Sequence, residues 1–128
     1  MNSYVDQAEA VMKKLSQDKR NMVTTSQIRK FLTAVNMVSG KVDQYRNGEK
    51  GTKLSSELQM QVKFLKVKLA YQIGRADSKW GNPVKDFSEA SDLMKWIDGI
   101  GDSVEKYEQF ARYVEALVAF HKYYGGRD

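Results

Sequence analysis

The sequence predicts an all-α protein, a compact bundle of about five helices in one domain that spans residues 1–128. Three observations lead to this fold class. Apolar residues recur at steps of three and four along most of the chain, which is the period of a helix that packs on one side. Pro83 is the only proline, so few positions forbid a helix. Finally, 128 residues that are 41% hydrophobic can bury one core without disulfides, and the chain has no cysteine.

The first helix is expected over residues 4–19. Ser3 and Asp6 have the spacing of a capping box, in which the side chain of each residue accepts a hydrogen bond from the backbone of the other. The side of this helix that faces the core is expected to be the apolar stripe of Val5, Ala8, Met12 and Leu15.

The second helix is expected to start after Thr24, where Thr24 and Gln27 repeat the capping-box spacing. Its apolar residues alternate steps of three and four, which keeps one seam of the helix against a partner helix. A polar loop with glycines, residues 46–53, is expected to end it. The seam consists of Ile28, Phe31, Val35, Val38, Val42 and Tyr45.

The third helix is expected over residues 54–75 and is predicted to be the central helix of the bundle. Its apolar residues point in almost every direction, as expected of a helix that other helices surround. A loop around Pro83, residues 78–86, follows it. The apolar residues are Leu58, Val62, Phe64, Leu65, Val67, Leu69, Tyr71 and Ile73.

The fourth and fifth helices are expected over residues 87–98 and from about residue 103 to Gly125. Asp86 with Glu89, and Asp102 with Glu105, have capping-box spacing. Between the two helices, Gly99 or Gly101 can adopt the left-handed conformation that ends a helix. The apolar stripe of the last helix comprises Val104, Tyr107, Ala111, Val114, Val118 and His121, widened by Phe110, Leu117 and Tyr124.

Charge is unevenly distributed along the chain. Residues 1–80 hold 15 Lys and Arg against 7 Asp and Glu, a net charge of +8, whereas residues 81–128 hold 6 against 9, a net charge of −3. A basic part joined to an acidic part suggests a polyanion as one partner, and a basic protein or another copy of the chain as the other. An accidental distribution is the alternative.

The basic part contains two runs without acidic residues. Residues 19–42 contain no Asp or Glu, and the side of the second helix opposite the seam carries Arg29, Lys30 and Lys41. Residues 58–76 form the second run, with Lys63, Lys68 and Arg75 among its cations. An ordinary solvated helix face mixes both signs of charge, so a face without carboxylates suggests phosphate as its ligand. Lysines that are merely solvated are the simpler alternative.

The residues that catalysis or metal binding would need are missing from the pattern. His121 is the only histidine, and the acidic residues of its helix fall mostly on another face; Glu108 is better placed to pair with Arg112. No phosphate-binding loop motif occurs. We therefore expect no catalytic residue, no metal and no cofactor, and we expect His121 to be a hydrogen-bonded packing residue, although a general-base role beside Lys122 or Tyr124 stays open.

The chain is expected to be a soluble cytoplasmic protein. Its first residues lack a basic region followed by an apolar one, and no apolar run approaches the roughly 20 residues that cross a bilayer. Two functional alternatives to phosphate-backbone binding remain. Residues 22–32, MVTTSQIRKFL, resemble the start of a helix-turn-helix recognition helix, although the helix is long for that role. A helical protein-interaction module without nucleic acid is the other.

Three motifs in order carry a family resemblance: TTSQIRKFL at residues 24–32, LAYQIGR at 69–75 and FARYVEALVAFHKYYGG at 110–126. In a basic helical chain of this length, they resemble the small subunit of the type III-A CRISPR-Cas effector, the Csm complex. The resemblance implies a non-enzymatic bundle whose copies stack into the inner filament of the complex. Its implied partners are CRISPR RNA, target RNA, the backbone and large subunits and other copies of itself, with no membrane.

The resemblance also implies which residues contact RNA. Carried onto the motifs, it points to Arg29 and Lys30, to Arg75, and to His121 with Lys122. The distribution of charge adds Lys41, Arg46, Lys63 and Lys68 as RNA-binding candidates. Arg29 and Arg75 are the strongest candidates, because a guanidinium can bridge two phosphate oxygens; an alternative for Arg75 is to stabilise the carboxyl end of the third helix. Acidic residues expected to contact a neighbouring copy are Glu89, Asp92, Glu105 and Glu108.

Overall fold

The structure, a computed structural model, describes residues 3–48 and 52–126. Within those ranges the chain forms six α-helices and no β-strand, so the all-α prediction is confirmed and the expected number of about five is corrected to six. Residues 49–51 of the expected loop lie outside the described ranges. The helices are α1 (Tyr4–Leu15), α2 (Thr25–Gly48), α3 (Ser56–Ala76), α4 (Pro83–Ser91), α5 (Leu93–Ile100) and α6 (Val104–Tyr123), with a 3₁₀ helix at Lys19–Asn21.

The central helix is α6, which packs against α1, α2 and α5. The hydroxyl of Tyr107 donates to the carbonyl of Val35 at 2.9 Å, and that of Tyr113 donates to the carbonyl of Ser91 at 2.8 Å. The Tyr113 ring also stacks on Trp96, with centroids 4.3 Å apart. These buried rings hold α2, α4 and α5 around α6. The prediction that the third helix is central was therefore wrong.

Helix α3 lies at the side of the bundle and buries only one of its faces. Leu58, Val62, Leu65 and Leu69 are buried, but Phe64, Val67 and Tyr71 are at least half exposed. The sequence pattern misled because α3 carries two apolar stripes. One follows residues 58, 62, 65 and 69, the other residues 60, 64, 67 and 71, and a shift of two residues turns by about 200° around a helix.

Local capping was predicted correctly at the second helix and in part at the first, where the described residues show one of the two backbone bonds of the box and the Ser3 hydroxyl also donates to the Asp6 carboxylate at 3.1 Å. The Ser3 hydroxyl accepts from the Asp6 N–H at 3.1 Å. The Thr24 hydroxyl accepts from the Gln27 N–H at 3.1 Å while the Gln27 side-chain oxygen accepts from the Thr24 N–H at 2.9 Å. Helix α1, however, ends at Leu15 rather than at residue 19. The predicted seam of α2 is confirmed, because all six of its residues are buried or half-buried.

The expected fourth helix is two helices, and it starts earlier than predicted. The Asn82 side chain accepts from the Lys85 N–H at 3.0 Å and places Pro83 at the first position of α4, where a missing N–H needs no partner. Asp92 then has a φ of 57°, a left-handed conformation that ends α4 and separates it from α5. Aspartate adopts this conformation more readily than most residues, but apolar spacing does not reveal it.

The junction before α6 was predicted only in part. Gly101 adopts a φ of 55° and ends α5, as one of the two expected glycines, and Gly125 with a φ of 76° follows α6. The cap of α6 is Ser103, whose hydroxyl accepts from the Lys106 N–H at 3.1 Å, rather than Asp102. None of the described helices is long and apolar enough to cross a membrane.

Candidate nucleic-acid interface

The outer face of α2 is basic, as its sequence predicts. Because Ile28, Val35 and Val42 turn the seam of α2 into the core, Arg29 and Lys30 project on the opposite side and are exposed. Neither cation has an acidic partner within the described part of the chain. The structure therefore presents both cations to solvent.

Helix α3 lies beside α2 and forms a groove with it. The side-chain amide of Gln72 donates to the backbone carbonyl of Gln27 at 3.0 Å and fixes the two helices at one end of the groove. The groove has a volume of about 710 Å³, and none of the described residues that line it is acidic. Its cations are Lys30, Lys68 and Arg75, and its larger apolar residues are Met37, Phe64, Val67 and Tyr71.

Two of these cations lie over aromatic rings of the same groove. The Lys68 Nζ atom is 6.0 Å from the centroid of the Phe64 ring, and the Arg75 Cζ atom is 5.9 Å from the centroid of the Tyr71 ring. Each pair is four residues apart, the spacing that brings side chains together on a helix. Both contacts are near the outer limit for an attraction between a cation and a ring.

The alternative role of Arg75, stabilising the carboxyl end of α3 through its charge, agrees with its place in the last turn of α3, because a charge acts on the helix dipole without a hydrogen bond. The Asp77 N–H, not the Arg75 side chain, donates to the Gly74 carbonyl in the last turn, at 3.4 Å. Within residues 3–48 and 52–126, Arg75 has no hydrogen bond to a helix carbonyl and no ion pair with an acid. Its guanidinium is therefore exposed and available beside the Tyr71 ring.

The other predicted cations do not join this groove. Arg29 and Lys63 are exposed, and each is the sequence neighbour of a residue that lines the groove. Lys41 lies in a separate shallow cleft with Glu57, and Lys122 is exposed on α6. Arg46 differs from these, because its guanidinium forms an ion pair with Glu108 on α6.

That ion pair has two consequences. The Arg46 Nη1 atom lies 2.5 Å from the Glu108 Oε2 atom, so Glu108 pairs with Arg46 rather than with Arg112 as expected. Glu108 is also one of the four acids that were expected to face a neighbouring copy, and the ion pair engages its carboxylate within the chain. Glu89, Asp92 and Glu105 remain exposed.

His121 is buried, with 1% of its surface exposed, and packs inside the fold. Its Nε2 atom is 2.7 Å from the Val23 carbonyl oxygen, and because a carbonyl only accepts, this nitrogen carries the proton. The prediction of a hydrogen-bonded packing residue is confirmed. Among the described residues, no group of three or more His, Asp and Glu side chains is placed to hold a metal ion.

The apolar half of the groove was not predicted from the sequence. Met37, Phe64, Val67 and Tyr71 were either outside the proposed site or assigned to the core. The signal that reveals the three of them on α3 is the second stripe of that helix at residues 60, 64, 67 and 71, which repeats the four-three-four steps of the buried stripe. A helix with two such stripes on opposite faces either lies between two layers or presents one stripe at the surface.

The helix-turn-helix alternative does not match the architecture around α2. The element before α2 is a 3₁₀ helix of three residues, Lys19–Asn21, and α2 itself has 24 residues. A recognition helix is normally preceded by a short helix in a compact unit that presents its amino end to DNA. Here α2 packs lengthwise against α3 and α6.

Sequence comparisons show that the chain is similar to one family of proteins. The family model described as "Csm2 Type III-A" matches residues 1–127. A protein of Streptococcus thermophilus named "CRISPR system Cms protein Csm2" is 36% identical over 128 residues, covering 98% of this chain and 94% of the relative. Proteins of the same name from Mycobacterium tuberculosis (strain CDC 1551 / Oshkosh) and Enterococcus italicus are each 34% identical, over 99% and 81% of this chain and 95% and 69% of the relatives.

Proposed function

Because the chain belongs to the Csm2 family of type III-A CRISPR systems and is a small subunit of such a complex, we propose that its α2/α3 face contacts the sugar-phosphate backbone of RNA. The observation that carries the proposal is the groove between α2 and α3. Lys30, Lys68 and Arg75 line it, and none of its lining residues in the described part of the chain is acidic. Arg29 and Lys63 are exposed on the same two helices but do not line the groove.

Backbone contact suits a subunit that does not have to read sequence. In an RNA-guided complex, base pairing between guide and target supplies sequence discrimination, and protein cations recognise the spacing of phosphates. Each Lys or Arg that neutralises a phosphate also releases condensed counterions, so affinity falls as salt rises. Carboxylates on this face would repel the phosphates, which explains why the two basic runs lack them.

The proposed role in the complex is structural rather than catalytic. Copies of the subunit would stack into the inner filament, beside the backbone and large subunits and along the CRISPR RNA and target RNA, in the cytoplasm. The exposed acids Glu89, Asp92 and Glu105 are proposed to face cations in the basic part, residues 1–80, of a neighbouring copy that lie outside the α2/α3 face. Glu108 is less available for that contact, because it pairs with Arg46 inside the chain.

The proposal is tested by reversing charge at Arg29 and Arg75 together. We expect the far-UV circular dichroism spectrum to stay unchanged, because both side chains are exposed. RNA affinity should fall at low salt, and the slope of log affinity against log salt should become shallower by about one to two. The matched control reverses Lys85 and Lys95, two exposed cations on α4 and α5.

The control separates local contact from net charge. If the Lys85 and Lys95 variant loses as much RNA affinity as the Arg29 and Arg75 variant, general charge attraction explains the binding and the α2/α3 face has no special role. Affinity that does not change between low and physiological salt would contradict backbone recognition altogether. Loss of helicity in the Arg29 and Arg75 variant would show that these arginines support the fold.

A further inference from the structure

We propose that the α2/α3 groove binds unpaired nucleobases of single-stranded RNA, which stack on Phe64 and Tyr71 while Lys68 and Arg75 contact the adjoining phosphates. This inference rests on the proposed RNA-binding function and adds that the groove selects single-stranded RNA over duplexed RNA. The second stripe of α3, at residues 60, 64, 67 and 71, is exposed at the surface of the described fold.

Several of the large apolar side chains that line the groove are at least half exposed. Phe64, Val67 and Tyr71 are 50%, 54% and 66% exposed, and Met37 from α2 is 61% exposed beside them. Single exposed apolar residues are ordinary, but several that line one groove mark a binding surface. The volume of about 710 Å³ falls within the roughly 300–1,000 Å³ range of small-molecule sites, so the groove can accept a nucleoside.

The charge of the groove determines what kind of ligand fits it. Among residues 3–48 and 52–126, three cations and no acid line the groove, so its ligand is expected to be anionic as well as partly apolar. A nucleotide joins a flat apolar base to a phosphate, so one ligand of this class matches both the apolar residues and the cations of the groove.

The two ring-cation pairs form a repeated unit along α3. Phe64 with Lys68 and Tyr71 with Arg75 are related by seven residues, which is about 10.5 Å along a helix. Both rings thus lie on the same side of α3, each with a cation one turn further on. Sequence-indifferent binders of single strands use this combination, because every base has a face that can stack on a ring. Bases inside a duplex are stacked on each other and cannot enter the groove.

The test compares RNA ligands on the full-length protein. One ligand is a single-stranded oligoribonucleotide with a central 2-aminopurine, whose fluorescence responds to stacking. The second is the same oligomer with abasic sites at its central positions, and the third is a duplex of the same length. The variant is Phe64→Leu with Tyr71→Leu, which keeps apolar side chains but removes both rings. Tyr123→Leu, another exposed tyrosine, is the matched control.

We expect wild type to bind the base-bearing single strand at least about fivefold more tightly than the abasic strand, since stacking on one ring changes affinity by about this factor or more. The fluorescence of 2-aminopurine should change on binding. The double variant should lose both the preference and the fluorescence change, while its binding to the duplex stays the same. The Tyr123→Leu protein should behave like wild type.

Other outcomes would overturn the inference, and each of them identifies which part of it is wrong. Equal affinity for the base-bearing and abasic strands, with binding that still weakens as salt rises, would remove base stacking but leave backbone recognition intact. No binding to any ligand at low salt would remove both. If the double variant binds RNA like wild type but no longer associates with another subunit of the complex, the groove is a protein interface instead.

Discussion

The His121 Nε2 atom donates a hydrogen bond of 2.7 Å to the carbonyl oxygen of Val23, across 98 residues of sequence. Both residues are buried, so this bond joins the carboxyl end of α6 to the segment that leads into α2. His121 therefore helps to position α2 and does not face a ligand, although the neighbouring Lys122 is exposed.

We predict that His121→Ala destabilises the protein by about 2–4 kcal/mol, because it leaves a buried carbonyl without a donor and opens a cavity. Urea unfolding followed by circular dichroism measures this change. Lys122→Ala, at an exposed position next to it, should change the free energy of unfolding by less than about 0.5 kcal/mol. Equal stability of the His121→Ala protein and wild type would show that the bond contributes nothing.

Gly126 is predicted to tolerate no side chain. A Cβ atom there would overlap the His121 ring, which its hydrogen bond and its burial hold in place. We expect Gly126→Ala to lower the free energy of unfolding by about 1–3 kcal/mol. Gly40→Ala is the control, because that position lies inside α2 with open space around it and should gain up to about 1 kcal/mol. A neutral Gly126→Ala would mean that the ring can move aside.

Tyr107 is predicted to make stability sensitive to alkaline pH. Burial raises its pKa from 10.0 to about 12, although its hydrogen bond with Ser39 opposes the shift. Below pH 10 the phenol is neutral in both states and its contribution is complete. Between pH 10 and 12 only the unfolded state releases the proton, so stability falls as pH rises.

Denaturant titrations from pH 9 to 12 check this prediction. We expect a shallower loss for Tyr107→Phe than for wild type, with a remaining loss from Tyr113, whose pKa burial also raises. Near pH 7 the Tyr107→Phe variant should be less stable by about 1 kcal/mol, because it loses the hydrogen bond to Val35. Identical pH profiles of the two proteins would contradict the assignment.

Glu108 is predicted to restrain Arg46 from binding RNA. Their ion pair competes with phosphate, so Glu108→Gln should raise RNA affinity severalfold at low salt while stability changes by less than about 1 kcal/mol. Asp98→Asn makes the same change in net charge at the Lys66–Asp98 pair and serves as the control. Filter binding across salt concentrations distinguishes the two variants. An equal gain in both would reflect net charge alone.

Features of the fold that depend on neighbouring residues in sequence could be predicted from the sequence. The hydroxyl cap at Ser3 and the capping box at Thr24 form within one turn, and the α2 seam needs only a partner surface of any kind. The corner at Asp92 was missed because apolar spacing continues through it and only the backbone conformation reveals the break.

The site could be predicted only in its charged half. A run without acids identifies exposed cations such as Lys30 and Arg75 without knowledge of the fold. The apolar half depends on which stripe of α3 the core covers. Helices α2, α4 and α5 pack against α3 and the stripe of Leu58, Val62, Leu65 and Leu69 is buried, so the stripe containing Phe64 and Tyr71 is left at the surface, an outcome that periodicity within α3 cannot decide.

The separation of charge affects how fast the subunit meets its partners. Basic residues concentrate on α2 and α3, whereas exposed acids such as Asp86 and Glu89 lie on α4, so the two signs of charge lie on different helices and we expect a net dipole. In the field of a polyanion, such a molecule rotates before contact and arrives with its basic helices first. Added salt would then slow association more than it speeds dissociation, and assembly of the complex would be most sensitive to ionic strength at the encounter step.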